Sequence, residues 1–130
     1  MKTLLPAGWP RPKGYSNGIS ARGRMIFTAG VVGWDEREFI QSYRIDGQFA
    51  QAMQNVLAIL KEDGAGPEHI VRLTIYITDM QEYLSQRDEL APIWKSIMGS
   101  HYPAMALVQV TRLVSPAAKV EIEATAVVPE

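Results

Sequence analysis

The stretch Val71-Arg72-Leu73-Thr74-Ile75-Tyr76-Ile77-Thr78 decides the fold. Its apolar residues Val71, Leu73, Ile75 and Ile77 fall on one face of an extended chain, and Arg72, Thr74, Tyr76 and Thr78 fall on the other. A strand with one buried face needs an amphipathic partner, and the residues before it supply one. From about Ile45 to Glu62, the residues Phe49, Ala52, Met53, Val56, Ile59 and Leu60 recur every three or four positions, which predicts a helix with one buried stripe. Gly64-Ala65-Gly66-Pro67 stops it. After the strand, a second helix is expected from Met80 or Gln81 to Met98, with Leu84, Leu90, Ile93, Trp94 and Ile97 inward. Pro92 removes a backbone donor in mid-run and predicts a kink or break there, or a short turn ahead of it. Ala106 to Val110 and Lys119 to Val128 read as the last strands, separated by a turn at Pro116.

Toward the N-terminus, Tyr15 to Ala21 reads as a short strand, and Arg22-Gly23-Arg24 turns it into Met25 to Ala29 as a hairpin. Gly30 and Gly33 then interrupt Val31-Val32 before the charged loop Glu36-Arg37-Glu38. Residues 1–14, with Pro6, Pro10, Pro12, Gly8 and Gly14, are expected to form an irregular arm. The order is ββαβαββ over one domain, 1–130, in the α+β class. Two helices on one face of a mixed sheet leave the opposite face to be covered by association of copies.

Composition narrows the function. Apolar residues make up 47% of the 130, enough for one core or a share of a larger one. Thirteen Lys and Arg against fourteen Asp and Glu leave no excess charge for a phosphate backbone or an anionic bilayer, so neither nucleic acid nor membrane is the expected partner. The absence of cysteine removes disulfide, thiolate-metal and cysteine-nucleophile chemistry. The opening Met1 to Pro6 is too short an apolar run for a signal peptide, and the expected location is the cytoplasm.

Several local strings, in this order, resemble the Rid (YjgF-like) family from about Gly14 to Val128. They are Gly14-Tyr15-Ser16-Asn17-Gly18, Ile26-Phe27-Thr28-Ala29-Gly30, the Gln51 to Leu60 helix, Val71 to Asp79, Tyr102-Pro103-Ala104 and Val120-Glu121-Ile122-Glu123-Ala124-Thr125-Ala126. The resemblance implies a chorismate-mutase-like fold, a homotrimer whose sheets face a central β-barrel, and small-molecule clefts between neighbouring subunits. It also implies hydrolysis of reactive enamines and imines to carbonyl compounds and ammonia, with no cofactor and no metal. Glu121 aligns with the glutamate that orients the attacking water, Tyr15 with a pocket tyrosine, and Gly30 with a glycine whose bare backbone approaches the ligand. Backbone groups near Gly30 and Leu107 would polarise the ligand.

The same resemblance exposes departures. Met105 stands where the deaminating members hold an arginine that grips the substrate carboxylate in two parallel hydrogen bonds, and methionine has no donor. Ala29 replaces a frequent serine, Val31 a frequent glutamine, and Leu107 a small or thiol-bearing residue. A divergent deaminase acting on a bulkier, more apolar enamine or imine fits these changes, and an intermediate of aromatic-amine catabolism is one substrate class used by relatives. A non-catalytic trimer that binds a small molecule or another protein fits them too. The missing cation could come from Lys13, Arg22, Arg24 or Arg72.

Each candidate also has a plainer reading. Glu121 and Glu123 share a strand face and could be cross-strand partners of Lys119 or Arg112. Tyr15 could pack under the N-terminal arm, Met105 could fill core space, and Trp34 could either wall the cleft or cap a sheet end. His69 and His101 have no second ligand at metal spacing, and exposure is the expectation for His101. Gly30-Val31-Val32-Gly33 lacks the Gly-Lys-Ser/Thr of a phosphate loop, and no serine sits in a nucleophile elbow.

Overall fold

The computed structural model describes residues 1–130. Strands β3 (Arg24–Phe27), β5 (Ile70–Ile77), β6 (Ala104–Gln109) and β7 (Val120–Val128) lie in the order β3-β7-β5-β6, and the two-residue β4 (Val31–Val32) also pairs with β7. Helix α1 (Ile45–Lys61) and the pair α2 (Met80–Ser85) and α3 (Arg87–Met98) pack on one face of this sheet. Two strands form a separate ribbon, β1 (Lys2–Leu4) and β2 (Gly18–Ser20). No helix is long and apolar enough to cross a membrane.

The alternation read in β5 holds from Leu73 to Ile77, while at its start an irregularity between Ile70 and Arg72 puts Ile70 in the core in place of Val71. Leu73, Ile75 and Ile77 are buried against Ile122 and Val120 of β7 and against Phe49, Met53, Val56 and Leu60 of α1. Burying each such aliphatic side chain stabilises the fold by about 1.5–3 kcal/mol. The pairing of β5 with β6 is parallel, and α2 and α3 form the crossover between them; every other pairing in the sheet is antiparallel. Helix α1 has no side-chain cap of its own at Arg44. Instead, the side-chain oxygen of Gln86 accepts the Asp46 N–H at 2.9 Å, which ties the start of α1 to the junction between α2 and α3.

That tie explains where the second helix breaks. The interruption falls at Gln86, which is drawn inward to 7% exposure, and Pro92 sits inside an unbroken α3. Asp88 and Pro92 are both exposed, so the carbonyl that loses its donor at Pro92 faces water and the helix tolerates it. Gly99, at φ 64°, ends α3.

The N-terminal third differs from the expected hairpin. Strand β2 pairs with β1, with Thr3 opposite Ile19, while β3 pairs with β7, with Ile26 opposite Ala126. Pairing with β7 turns Ile26 toward the core, a gain that a hairpin with the three-residue β2 would forgo. Residues 1–14 are therefore not wholly irregular, because they supply one strand of the ribbon.

On the face away from the helices the sheet is open. Phe27 is 66% exposed and Met25 57%, with Val108 also exposed and Thr74, Tyr76, Glu121, Glu123 and Thr125 half-buried between them.

Candidate functional site

Most of the residues singled out from the sequence lie in two places. Tyr15, Met105 and Leu107 line a cleft of about 750 Å³ on the helix side of edge strand β6. Its floor is Ile75 of β5 with Met105 and Leu107 of β6, which are adjacent on one face because Ile75 pairs with Leu107 and Leu73 with Met105. One wall is the face of α2 and α3 that carries Tyr83, Arg87, Leu90 and Trp94; the other is the segment from Lys13 to Tyr15 together with Tyr102. The bond from the Ser16 N–H to the Pro103 carbonyl (3.0 Å) and the donation of the Ser16 hydroxyl to the Tyr102 carbonyl hold that second wall in place.

Much of the cleft is aromatic. Trp94 stacks on Tyr102 with ring centres 5.8 Å apart and planes 12° from parallel, and on Phe49 at 6.4 Å and 29°. In the sequence Trp94 and Phe49 were marked as inward helix residues and Tyr102 as part of a family string, and none of the three was assigned to the cleft. Tyr83, Arg87, Leu90 and Trp94 follow helical spacing, which was the available signal for Tyr83 and Arg87. Phe49 and Tyr102 come from distant segments, and nothing in either segment placed them against Trp94.

Glu121 is elsewhere. It alternates with Val120 and Ile122, both buried on the helix side, so its carboxyl lies on the open face of the sheet, across from the cleft. There it stands opposite Tyr76 and Val32 in the sheet register and packs against Gly30. A Cβ at Gly30 would lie 2.9 Å from both Cδ and Oε2 of Glu121, so the bare backbone makes room for this carboxylate. The cross-strand pairing weighed for the two glutamates does not form with either cation. Lys119 bonds Glu82 at 2.7 Å, and Glu123 accepts the Tyr76 hydroxyl at 2.8 Å, which leaves Glu121 with no hydrogen bond or ion pair. The bond to Glu123, followed by burial and the charges of Glu123 and Glu121, holds the Tyr76 phenol above its usual pKa.

Ala29 and Gly30 are exposed beside Glu121, whereas Val31 turns inward and packs against the core. Trp34 does not reach the cleft. It forms an isolated bridge with Ile40, and its carbonyl and that of Val32 accept both bonds of the Asn55 amide, at 2.8 and 2.9 Å. Those bonds, with Gly33 pressed onto the α1 backbone at Gln48, fix β4 and hence the Gly30 approach to Glu121. In the following loop Asp35 accepts the N–H groups of Phe39 and Arg37 and the amide of Gln41, and its pKa is lowered, chiefly by the Phe39 bond.

The other titratable candidates have defined places. Among the four cations considered, Lys13 lines the cleft; Arg24 pairs with Asp63, Arg72 lies on the open sheet face opposite Thr125, and Arg22 is exposed outside the cleft. His101 is half-buried, contrary to expectation, because its Nε2 lies 2.7 Å from the Ile70 carbonyl. His69 accepts the Gly66 N–H through Nδ1. No group of three His, Cys, Asp or Glu side chains stands close enough to hold a metal ion.

Comparison with known proteins places this architecture among relatives. The model of the family described as endoribonuclease L-PSP matches residues 10–128. A RutC family protein of Synechocystis is 31% identical, with 99% of this chain and 98% of that protein covered. The 2-iminobutanoate/2-iminopropanoate deaminase of Salmonella typhimurium is 28% identical, with 97% of each chain covered. Among solved structures, the Rid-family protein YyfB of Yersinia pestis superposes with a TM-score of 0.85 at 26% identity over 98% of both chains. Escherichia coli TdcF with bound serine gives 0.71 at 28% identity, covering 98% of this chain and 99% of its own.

Proposed function

Since this chain belongs to the Rid/YjgF family, whose model is described as endoribonuclease L-PSP, we propose that it is a cofactor-independent enamine or imine deaminase. Its site is composite and forms between copies: the cleft of one subunit, with Tyr15, Met105 and Leu107, faces Ala29, Gly30 and Glu121 of a neighbour in a homotrimer. The observation that carries this reading is the unpartnered Glu121 carboxylate, seated against Gly30 on the sheet face opposite the cleft. Neither half is a site alone, and the exposed Phe27 and Met25 give the open face a reason to be covered. The names of two relatives support the chemistry, one a 2-imino acid deaminase and the other solved with serine.

In the reaction Glu121 takes a proton from water as the water oxygen bonds to the C=N carbon and the π electrons move to nitrogen. Return of the proton to that nitrogen gives the carbinolamine; Glu121 then passes the hydroxyl proton to the amino nitrogen as the C–N bond breaks, so that ammonia leaves and the carbonyl forms. An enamine enters as the imine once a proton has been gained at carbon and one lost from nitrogen. Hydrogen-bond donors of the backbone near Gly30 and Leu107 polarise the ligand.

The apolar floor made by Met105 and Leu107 favours one second reading, a trimer that binds a small molecule without turning it over. Ammonia release from imines generated in situ by an amino-acid oxidase separates the two. Wild type is expected to accelerate release, and Glu121→Gln to lose about 10²- to 10⁴-fold while still binding the keto product. Equal rates for both proteins, at the uncatalysed level, would remove the deaminase reading.

A further inference from the structure

The floor of the cleft has no cation, yet its mouth has two. Arg87 and Lys13 stand there against the single carboxylate of Asp88, and Arg87 is the only arginine that lines the cleft. Arg24, Arg37 and Arg44 are held by Asp63, Asp35 and Asp46, whereas Arg87 has no ion pair in the chain. Its backbone is well fixed, because it opens α3 directly after Gln86, the residue that ties this junction to α1. Tyr83 lies one turn before Arg87, and the stacked rings of Phe49, Trp94 and Tyr102 meet the same wall at Trp94. Seven residues separate Trp94 from Arg87, about 10 Å of helix axis. An acid with an aryl side chain covers more of that spacing than a two- or three-carbon acid does.

We propose that Arg87, assisted by Lys13, grips the ligand's carboxylate, and that the ligand class is a 2-imino acid with an aromatic side chain. Its ring lies along the wall of Trp94, Tyr102 and Phe49. A guanidinium offers the carboxylate a fork of parallel N–H donors, and the ring gains offset stacking and apolar burial. Met105 then serves as an apolar surface under the substrate. The reaction rests on the deaminase reading: the imine and water give the aryl 2-oxo acid and ammonia. The binding does not rest on it.

Calorimetric titration of the assembled protein tests this with phenylpyruvate, its three-carbon counterpart pyruvate, and neutral 3-phenylpropanamide. Phenylpyruvate is expected to bind at least about tenfold more tightly than either, with the advantage shrinking as salt rises, because Arg87 and Lys13 are exposed. Arg87→Leu is expected to abolish the advantage over the amide and leave the amide's affinity in place; Arg87→Lys keeps the charge without the fork and falls between. Retained amide affinity also shows that the variant is folded. Pyruvate binding as tightly as phenylpyruvate, or an unchanged phenylpyruvate affinity in Arg87→Leu, overturns the proposal. If the expected binding pattern is found and no imine is hydrolysed, the assignment of Arg87 stands and the deaminase reading fails.

Discussion

The cleft beside β6 and the carboxylate on β7 are built on opposite principles. The cleft is made of large side chains from distant parts of the chain, Lys13 to Tyr15, Phe49, Tyr83 to Trp94 and Tyr102, and its walls depend on how α2 and α3 meet the sheet edge. The Glu121 side is made of a strand and a missing side chain: Gly30 supplies space, and Asn55 and Gly33 hold β4 where that space is useful. One region is a shape whose charged groups, Lys13, Arg87 and Asp88, are all exposed; the other is one polar group with little shape. Their separation on the two faces of a single sheet teaches that a chain of this size, acting alone, cannot bring its own carboxylate to its own cleft.

The sharpest way to break that comparison is to divide it between two proteins. Glu121→Gln and a variant with its cleft blocked, Leu107→Arg, are each expected to be almost inactive. Unfolded together and refolded as a one-to-one mixture, they should regain about a quarter of wild-type ammonia release, because that fraction of interfaces in a cyclic assembly pairs an intact cleft with an intact Glu121. No recovery, with mixed assemblies verified by mass, would mean that both halves must lie in one chain.

A second pair of variants separates space made for chemistry from space made for packing. At Gly33 a Cβ would lie 2.5 Å from the Gln48 carbonyl oxygen of α1, so Gly33→Ala forces backbone apart and should cost about 1–3 kcal/mol in denaturant unfolding. At Gly30 the obstacle is the far end of Glu121, which can swing aside. Gly30→Ala should therefore lose less than about 1 kcal/mol of stability, yet lower turnover roughly 10- to 100-fold by displacing the carboxylate. Equal stability losses at the two positions would dissolve the distinction.

The smallest effect concerns protons. The folded pKa of Tyr76 is raised above its usual value near 10, so the native state holds this proton more tightly than the unfolded chain. Its contribution to stability is full below the unfolded pKa and is lost as pH rises through the folded one. Absorbance titration of the phenols should show Tyr76 among the last to ionise, and Glu123→Gln should bring it back toward the ordinary range.

How much of this was legible depended on the range of the interaction. The period of two in Val71 to Thr78 and of three to four in Phe49 to Leu60 gave the central strand and its helix, because alternation and helical phase are written in neighbouring residues. The strings around Tyr15, Gly30, Tyr102 and Glu121 gave the family for the same reason. Partners were not legible. The β1–β2 ribbon and the bond from Asp46 N–H to the Gln86 side chain join residues up to 40 positions apart, and nothing in either segment names the other; of the two readings around Pro92, the structure takes the short element ahead of it. Placing Tyr15, Met105 and Arg87 around one cleft and Glu121 behind it was likewise decided by the tertiary structure alone. A strand's sequence states that its two faces differ; which face meets the helices, and what then lines each side, is settled only when burial of the whole core selects one packing.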